Sequence, residues 1–159
     1  MLTPLHTPHL QLVPRTRGEV AADIEHMPEQ TRKEVSAAWL SLLEASTEID
    51  PWVHGFTLIH QNSGTAVGSC GFKGPPDAEG MVEIAYGVHP EHQSKGYATE
   101  AAQALVSYAL SSGKVHLVRA HTLPEINAST RVLTKLGFQK IGEVIEPEDG
   151  RVWRWELRA

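Results

Sequence analysis

The stretch Val88-His89-Pro90-Glu91-His92-Gln93-Ser94-Lys95-Gly96-Tyr97-Ala98-Thr99-Glu100 constrains this chain more than any other. It joins a run of alternating apolar residues to an Ala-rich segment. A glycine turn between a strand and a helix aims several backbone N–H groups at one spot. The helix behind it adds the positive end of its dipole. Such a junction binds phosphate. The spacing Gln93-x-x-Gly96-x-Ala98 is neither the G-x-x-x-x-G-K-[ST] loop of nucleoside triphosphatases nor the G-x-G-x-x-G turn of dinucleotide folds.

Periodicity places the elements around this junction. A first strand is expected over residues 9–15. A helix over about 18–28 carries Val20, Ile24 and Met27 on one face, and Pro28 interrupts it. A second helix sets Val35, Ala38, Trp39, Leu42 and Leu43 on one stripe. Gly55–His60 and Ala66–Phe72 read as a hairpin, followed by an exposed loop over 73–80. Met81–Val88 is the central strand. It alternates bulky Val82, Ile84, Tyr86 and Val88 against Glu83, Ala85 and Gly87. The second face leaves room for something thin to lie along it.

Thr99–Ser112 is a helix stopped by Gly113, and Val115–Thr122 is a strand. Asn127 caps a further helix with Val132, Leu133 and Leu136 on its apolar face. Gln139–Ile145 and Arg151–Leu157 close the chain as a hairpin. The order βααβββαβαββ implies a mixed sheet of about seven strands with helices on both faces, an α+β or α/β fold. The 159 residues suit a single domain spanning 1–159.

Composition narrows the function classes. A formal net charge of −5 without a Lys/Arg cluster disfavours nucleic-acid binding. No apolar run is long enough to span a bilayer, and no signal peptide precedes the first strand, so a cytoplasmic protein is expected. The lone Cys70 reads as a buried structural thiol, which fits a reducing compartment. Nine histidines raise the question of metal, but His89-x-x-His92 lacks a completing ligand set, and no metal is expected. His89 and His92 are expected at the entrance to the phosphate loop.

Two blocks then point to one family. The loop Gln93–Ala98 with Thr99-Glu100-Ala101 resembles the acyl-CoA pyrophosphate loop, Q/R-x-x-G-x-G/A, of the GNAT N-acetyltransferase superfamily. Asn127-Ala128-Ser129 through Lys135-Leu136-Gly137-Phe138 resembles its N-x-x-S…K-x-G-F helix. The pairing of the two is most similar to the RimJ/RimL-like branch, the ribosomal-protein N-terminal acetyltransferases. The element order resembles the GNAT fold. Ser94 stands where relatives often have Gly. Leu133 stands where many members carry a thiolate-protonating Tyr, which excludes a Tyr acid at that position.

The resemblance implies acetyl-CoA as co-substrate and attack of a free amine on its thioester. The acceptor is expected to be a protein N-terminus or a small amine. The amides of Gln93, Ser94, Lys95, Gly96, Tyr97 and Ala98, with Thr99, are expected to grip the pyrophosphate. Val88 is expected to offer backbone hydrogen bonds to the pantetheine arm, and an amide near Gly87 and Val88 to polarise the carbonyl. Asn127 is expected to cap its helix, to bond the arm, or both. Glu83 is the candidate base, with a pKa raised by a partly dry cleft. Ser129 is the candidate acid. Trp52 and His54 are candidates for acceptor contact. A non-catalytic acyl-CoA sensor of the same fold is the alternative. A homodimer is a family-level expectation, with the aromatic strand Val152-Trp153-Arg154-Trp155 read as an edge able to pair.

Overall fold

The computed structural model describes residues 4–29, 37–45, 49–147 and 150–159. The elements are β1 (Leu5–His6), β2 (Leu10–Pro14), α1 (Arg17–Glu25), α2 (Ala37–Ala45), α3 (Pro51–His54), β3 (Phe56–His60), β4 (Ala66–Phe72) and β5 (Met81–Val88). They continue with a 3-10 turn (Pro90–His92), α4 (Tyr97–Ser111), β6 (Leu117–Thr122), α5 (Ala128–Lys135), β7 (Gln139–Glu146) and β8 (Gly150–Arg158). Among the described residues the sheet has eight strands in the order β1-β2-β3-β4-β5-β6-β8-β7, one more than the periodicity predicts. The added strand is the two-residue β1, too short to show an alternating pattern.

Local chemistry explains the helix ends. Thr16 caps α1 by accepting from Glu19 N, and Glu19 returns the bond to Thr16 N. The helix stops at Glu25, three residues short of Pro28. Asp50 caps the short α3, whose first residue is Pro51. Asn127 caps α5 through Thr130 N, at 3.0 Å. Val35 and the side chain of Ala38 lie outside the described residues.

One face of the sheet carries the main core. Leu10, Leu12, Phe56, Leu58, Val82 and Ile84 meet Ala101, Ala102, Leu105 and Ala109 of α4 and Leu133 of α5. Small alanines on α4 let the helix lie close against the strands. Trp52 of α3 packs against Phe72 and Tyr108, with ring centroids 4.6 and 5.2 Å away. On the opposite face, α1 stands over Thr57 and Ser69 around a hollow of about 410 Å³. Val20, Leu43 and Val53 form a smaller apolar cluster of their own.

Two details of the sheet shape everything else. β4 and β5 pair closely at Gly68, where an added Cβ would lie 2.1 Å from the Gly87 carbonyl oxygen. β5 and β6, by contrast, pair in parallel only at Met81–Leu117, Val82–Val118 and Glu83–Arg119. β5 runs on to Val88 and β6 to Thr122, so the two strands part beyond Glu83. The aromatic strand β8 is not an edge. It lies between β6 and β7, because Ala120 pairs with Trp155 on one side and Val144 with Val152 on the other. The free edge at that end is β7.

Candidate active site

Two clefts open where β5 and β6 part. The first, about 510 Å³, is lined by Tyr86, Gly87, Val88, the loop residues His92, Gln93, Ser94 and Gly96, the start of α4 (Tyr97, Ala98, Thr99), and Ala128, Ser129, Arg131, Val132 and Lys135 of α5. The second, about 350 Å³, is lined by Lys73, Glu83, Ile84, Ala85, Tyr86, Ala120, His121, Thr122, Leu123, Ser129 and Val152. Tyr86 and Ser129 line both. Their hydroxyls are 3.0 Å apart.

The first cleft has the form of an anion cradle. Ser94 and Gly96 both hold a left-handed backbone, with φ of 64 and 85°. Left-handed residues within a turn gather successive amides into a concave donor surface, and α4 begins directly behind it. A Cβ built on Gly96 or Gly87 meets nothing within 4 Å, so both open onto empty space. Gln93 Nε2 donates to the Val88 carbonyl at 2.9 Å and ties the loop back to the strand. The open side of β5 offers main-chain groups beyond Glu83. Arg131 and Lys135, one turn apart on α5, add positive charge. Together these features fit a long ligand with an anionic pyrophosphate and an amide-bearing arm. Among the residues expected there, Lys95 and Asn127 do not line the cleft. Lys95 is exposed, and the Asn127 side chain is used in capping. His92 lines the cleft as expected, whereas His89 borders the hollow beneath α1.

The second cleft carries a network of titratable groups. Glu83 Oε2 is 2.9 Å from His121 Nδ1 and 3.0 Å from Lys73 Nζ. Arg154 Nε donates to His121 Nε2 at 3.1 Å, and Glu146 Oε1 lies 3.3 Å from the same nitrogen. Arg154 also donates to Glu146 at 2.8 Å. With Nε2 accepting, the geometry assigns the proton to Nδ1, facing Glu83.

The expected raised pKa of Glu83 is not met. Burial pushes the carboxyl up, but the hydrogen bonds and charges of His121 and Lys73 outweigh it and hold the group below its usual value. Ser129, the candidate acid, reaches across to Tyr86. Burial raises the Tyr86 phenol, against a smaller lowering by the Ser129 hydrogen bond. Leu133 is fully buried, so that position faces the core. Trp52 and His54 line neither cleft: Trp52 packs on Phe72, and buried His54 accepts from Asp50 N through Nδ1.

The sequence reading missed His121, Lys73, Tyr86, Arg131 and Lys135. Strand register is the signal that finds His121. It lies two residues beyond Arg119, which pairs with Glu83, and so shares the face of Glu83. Arg131 and Lys135 follow from the four-residue spacing on the helix that Asn127 starts.

Fold and clefts together define a domain with a parted central sheet and an anion-binding type of strand–helix turn. Residues 2–139 match the family model described as an acetyltransferase (GNAT) domain, and the chain belongs to that family. It is 37% identical over 89 residues to the uncharacterized N-acetyltransferase YjdG of Bacillus subtilis (strain 168), covering 56% of this chain and 51% of that one. The chain thus spans about half the length of the curated relatives it matches. Among solved structures, RimL, a ribosomal L7/L12 alpha-N-protein acetyltransferase in complex with coenzyme A, superposes with a TM-score of 0.71. Identity there is 16%, with 98% of each chain covered. Mycobacterium smegmatis RimJ in complex with CoA-disulfide gives 0.68 at 19% identity, covering 99% of this chain and 86% of that one. These similarities establish a shared fold.

Proposed function

We propose that this chain is an acetyl-CoA-dependent N-acetyltransferase acting on a primary amine, a protein N-terminus or a small amine. The observation that carries the reading is the meeting of the two clefts at the Tyr86–Ser129 hydrogen bond. One cleft suits an anionic, strand-like donor, and the other carries the Glu83 carboxylate to receive a cationic acceptor.

Acetyl-CoA, when bound, supplies an acetyl thioester. The amides of Gln93, Ser94, Gly96, Tyr97 and Ala98, with Thr99, hold the pyrophosphate, and Arg131 and Lys135 add charge. Backbone groups of Gly87 and Val88 hold the arm and polarise the carbonyl. Glu83 stays ionised and draws the ammonium inward. It also fixes the Nδ1–H of His121, so that the pair receives the proton the amine must lose. Ser129 hands a proton to the departing sulfur. Leu123 and Val152 line the second cleft with apolar surface and limit water there.

Thermal unfolding with acetyl-CoA and with free CoA tests the donor cleft. A ligand at 100 times its dissociation constant stabilises by about 2.7 kcal/mol, which moves the midpoint by roughly 5–10 °C. A shift with both ligands supports the reading, and amine-dependent thiol release completes it. A shift without turnover on any amine selects the non-catalytic acyl-CoA-binding module. No shift at millimolar ligand removes both.

A further inference from the structure

We propose that Tyr86 is the second member of a proton relay that links the leaving sulfur to the acceptor cleft through Ser129, which rests on the acetyl-transfer reading above. Tyr86 belongs by alternation to the bulky, core-facing side of β5, with Val82 and Ile84. Those two are buried, but Tyr86 is only partly so, and its hydroxyl meets Ser129 at 3.0 Å. On the same helix, Thr130 and Thr134 spend their hydroxyls on backbone carbonyls at 2.9 and 2.8 Å. Ser129 instead reaches to a side chain 43 residues away in the chain. The contact bridges two clefts, not two core surfaces.

The balance of the step is simple. The ammonium first loses one proton to the Glu83–His121 pair, which releases it to solvent. The amine nitrogen then forms a C–N bond to the acetyl carbon, and the C–S bond breaks with its electron pair on sulfur. Ser129 Oγ–H gives its proton to that sulfur, and Tyr86 Oη–H replaces it on Ser129. The phenolate takes up the proton that the newly acylated nitrogen sheds into the acceptor cleft. No proton is left over, and the enzyme returns to its starting form. Burial that raises the phenol keeps Tyr86 protonated between turnovers. A hydroxyl arriving from β5 thereby replaces the acid that Leu133 cannot supply.

The test compares Tyr86→Phe, Ser129→Ala and the double variant. Calorimetry with CoA shows that each still folds and binds, with affinity within about twofold of the unsubstituted protein. The relay predicts a ten- to hundredfold fall in thiol release from acetyl-CoA for Tyr86→Phe, on the order expected for a lost proton donor. The double variant should fall no further than the worse single one. Acetyl-seleno-CoA, whose selenol is a far more acidic leaving group, should restore most of the lost rate. Apart from turnover, ultraviolet absorbance should show the thiol of bound CoA ionising at higher pH in Tyr86→Phe. An unchanged rate, an equal loss with the selenium analogue, or an unmoved thiol titration overturns the relay while leaving the acetyl-transfer reading intact. Failure of the unsubstituted protein to bind CoA overturns that reading, and the relay with it.

Discussion

Replacing Glu83 by Gln removes a charge but keeps the shape of a side chain that is only 17% exposed. Its ion pair with Lys73 contributes little, because Lys73 is 42% exposed and solvent screens it. The bond with His121 matters more, since the His121 side chain is only 6% exposed. A hydrogen bond to a charged group in such a setting contributes about 1.5–3 kcal/mol. Gln retains one acceptor oxygen, so the expected loss is about 2 kcal/mol near neutral pH, or roughly 4–8 °C in unfolding midpoint. The pH dependence fixes the sign. Glu83 titrates below its ordinary 4.5 in the folded state, so the unfolded chain takes up the proton more readily. The stabilisation is therefore complete above 4.5 and fades as pH falls through the lower folded value. Thermal scans of both proteins from neutral pH to about pH 3 read this directly. Equal midpoints near neutral pH, or a gap that persists undiminished in acid, would refute the reasoning.

Other changes have equally definite outcomes. Ser94→Gly should stabilise the protein by up to about 1 kcal/mol, because a left-handed φ of 64° strains a residue with a Cβ; chemical denaturation measures it, and a loss of stability contradicts the strain. Gly68→Ala should lower the unfolding midpoint by at least roughly 6–12 °C or abolish folding (on the order of 3 kcal/mol or more), since the new Cβ meets the Gly87 carbonyl at 2.1 Å. Cys70 should resist thiol reagents in the folded protein at neutral and mildly alkaline pH, because burial pushes its thiol far up, and it should label at once in denaturant. Native labelling at the denatured rate would show that the core cluster does not close over it.

The anion cradle was legible because its signal is local: a turn glycine, a strand before it and a helix behind it within a dozen residues. The alternation of Val82, Ile84 and Tyr86 and the Asn127 cap were legible for the same reason. The second cleft was not, because it is assembled across the sheet. Glu83 stood out as a carboxylate on a small-residue face. Its pKa, however, depends on His121 and Lys73, which register and a loop bring to it. The reading of Tyr86 as a bulky core residue followed its periodicity correctly and missed its hydroxyl, whose partner sits on another element. The misplaced edge has a similar origin. Trp153 and Trp155 suit a strand interior as well as an edge, and only the long-range pairing of β8 with β6 as well as with β7 places it between them.

The short β5–β6 ladder also governs how this molecule opens. Three residue pairs of ladder join the block from β1 to β5 to the block from β6 to β8, supplemented by the Glu83–His121 bond, by the Gly80 carbonyl accepting from His116 and Leu117, and by the packing of α4 and α5. Each block has its own longer ladders, so each forms a cooperative unit that can open with partial independence. Amides on either side of the seam should therefore exchange with solvent in two groups, with residues 84–88 among the earliest on β5. A ligand lodged in the seam fastens both blocks at once, so slowed exchange should appear in β8 as well as in the strands it touches.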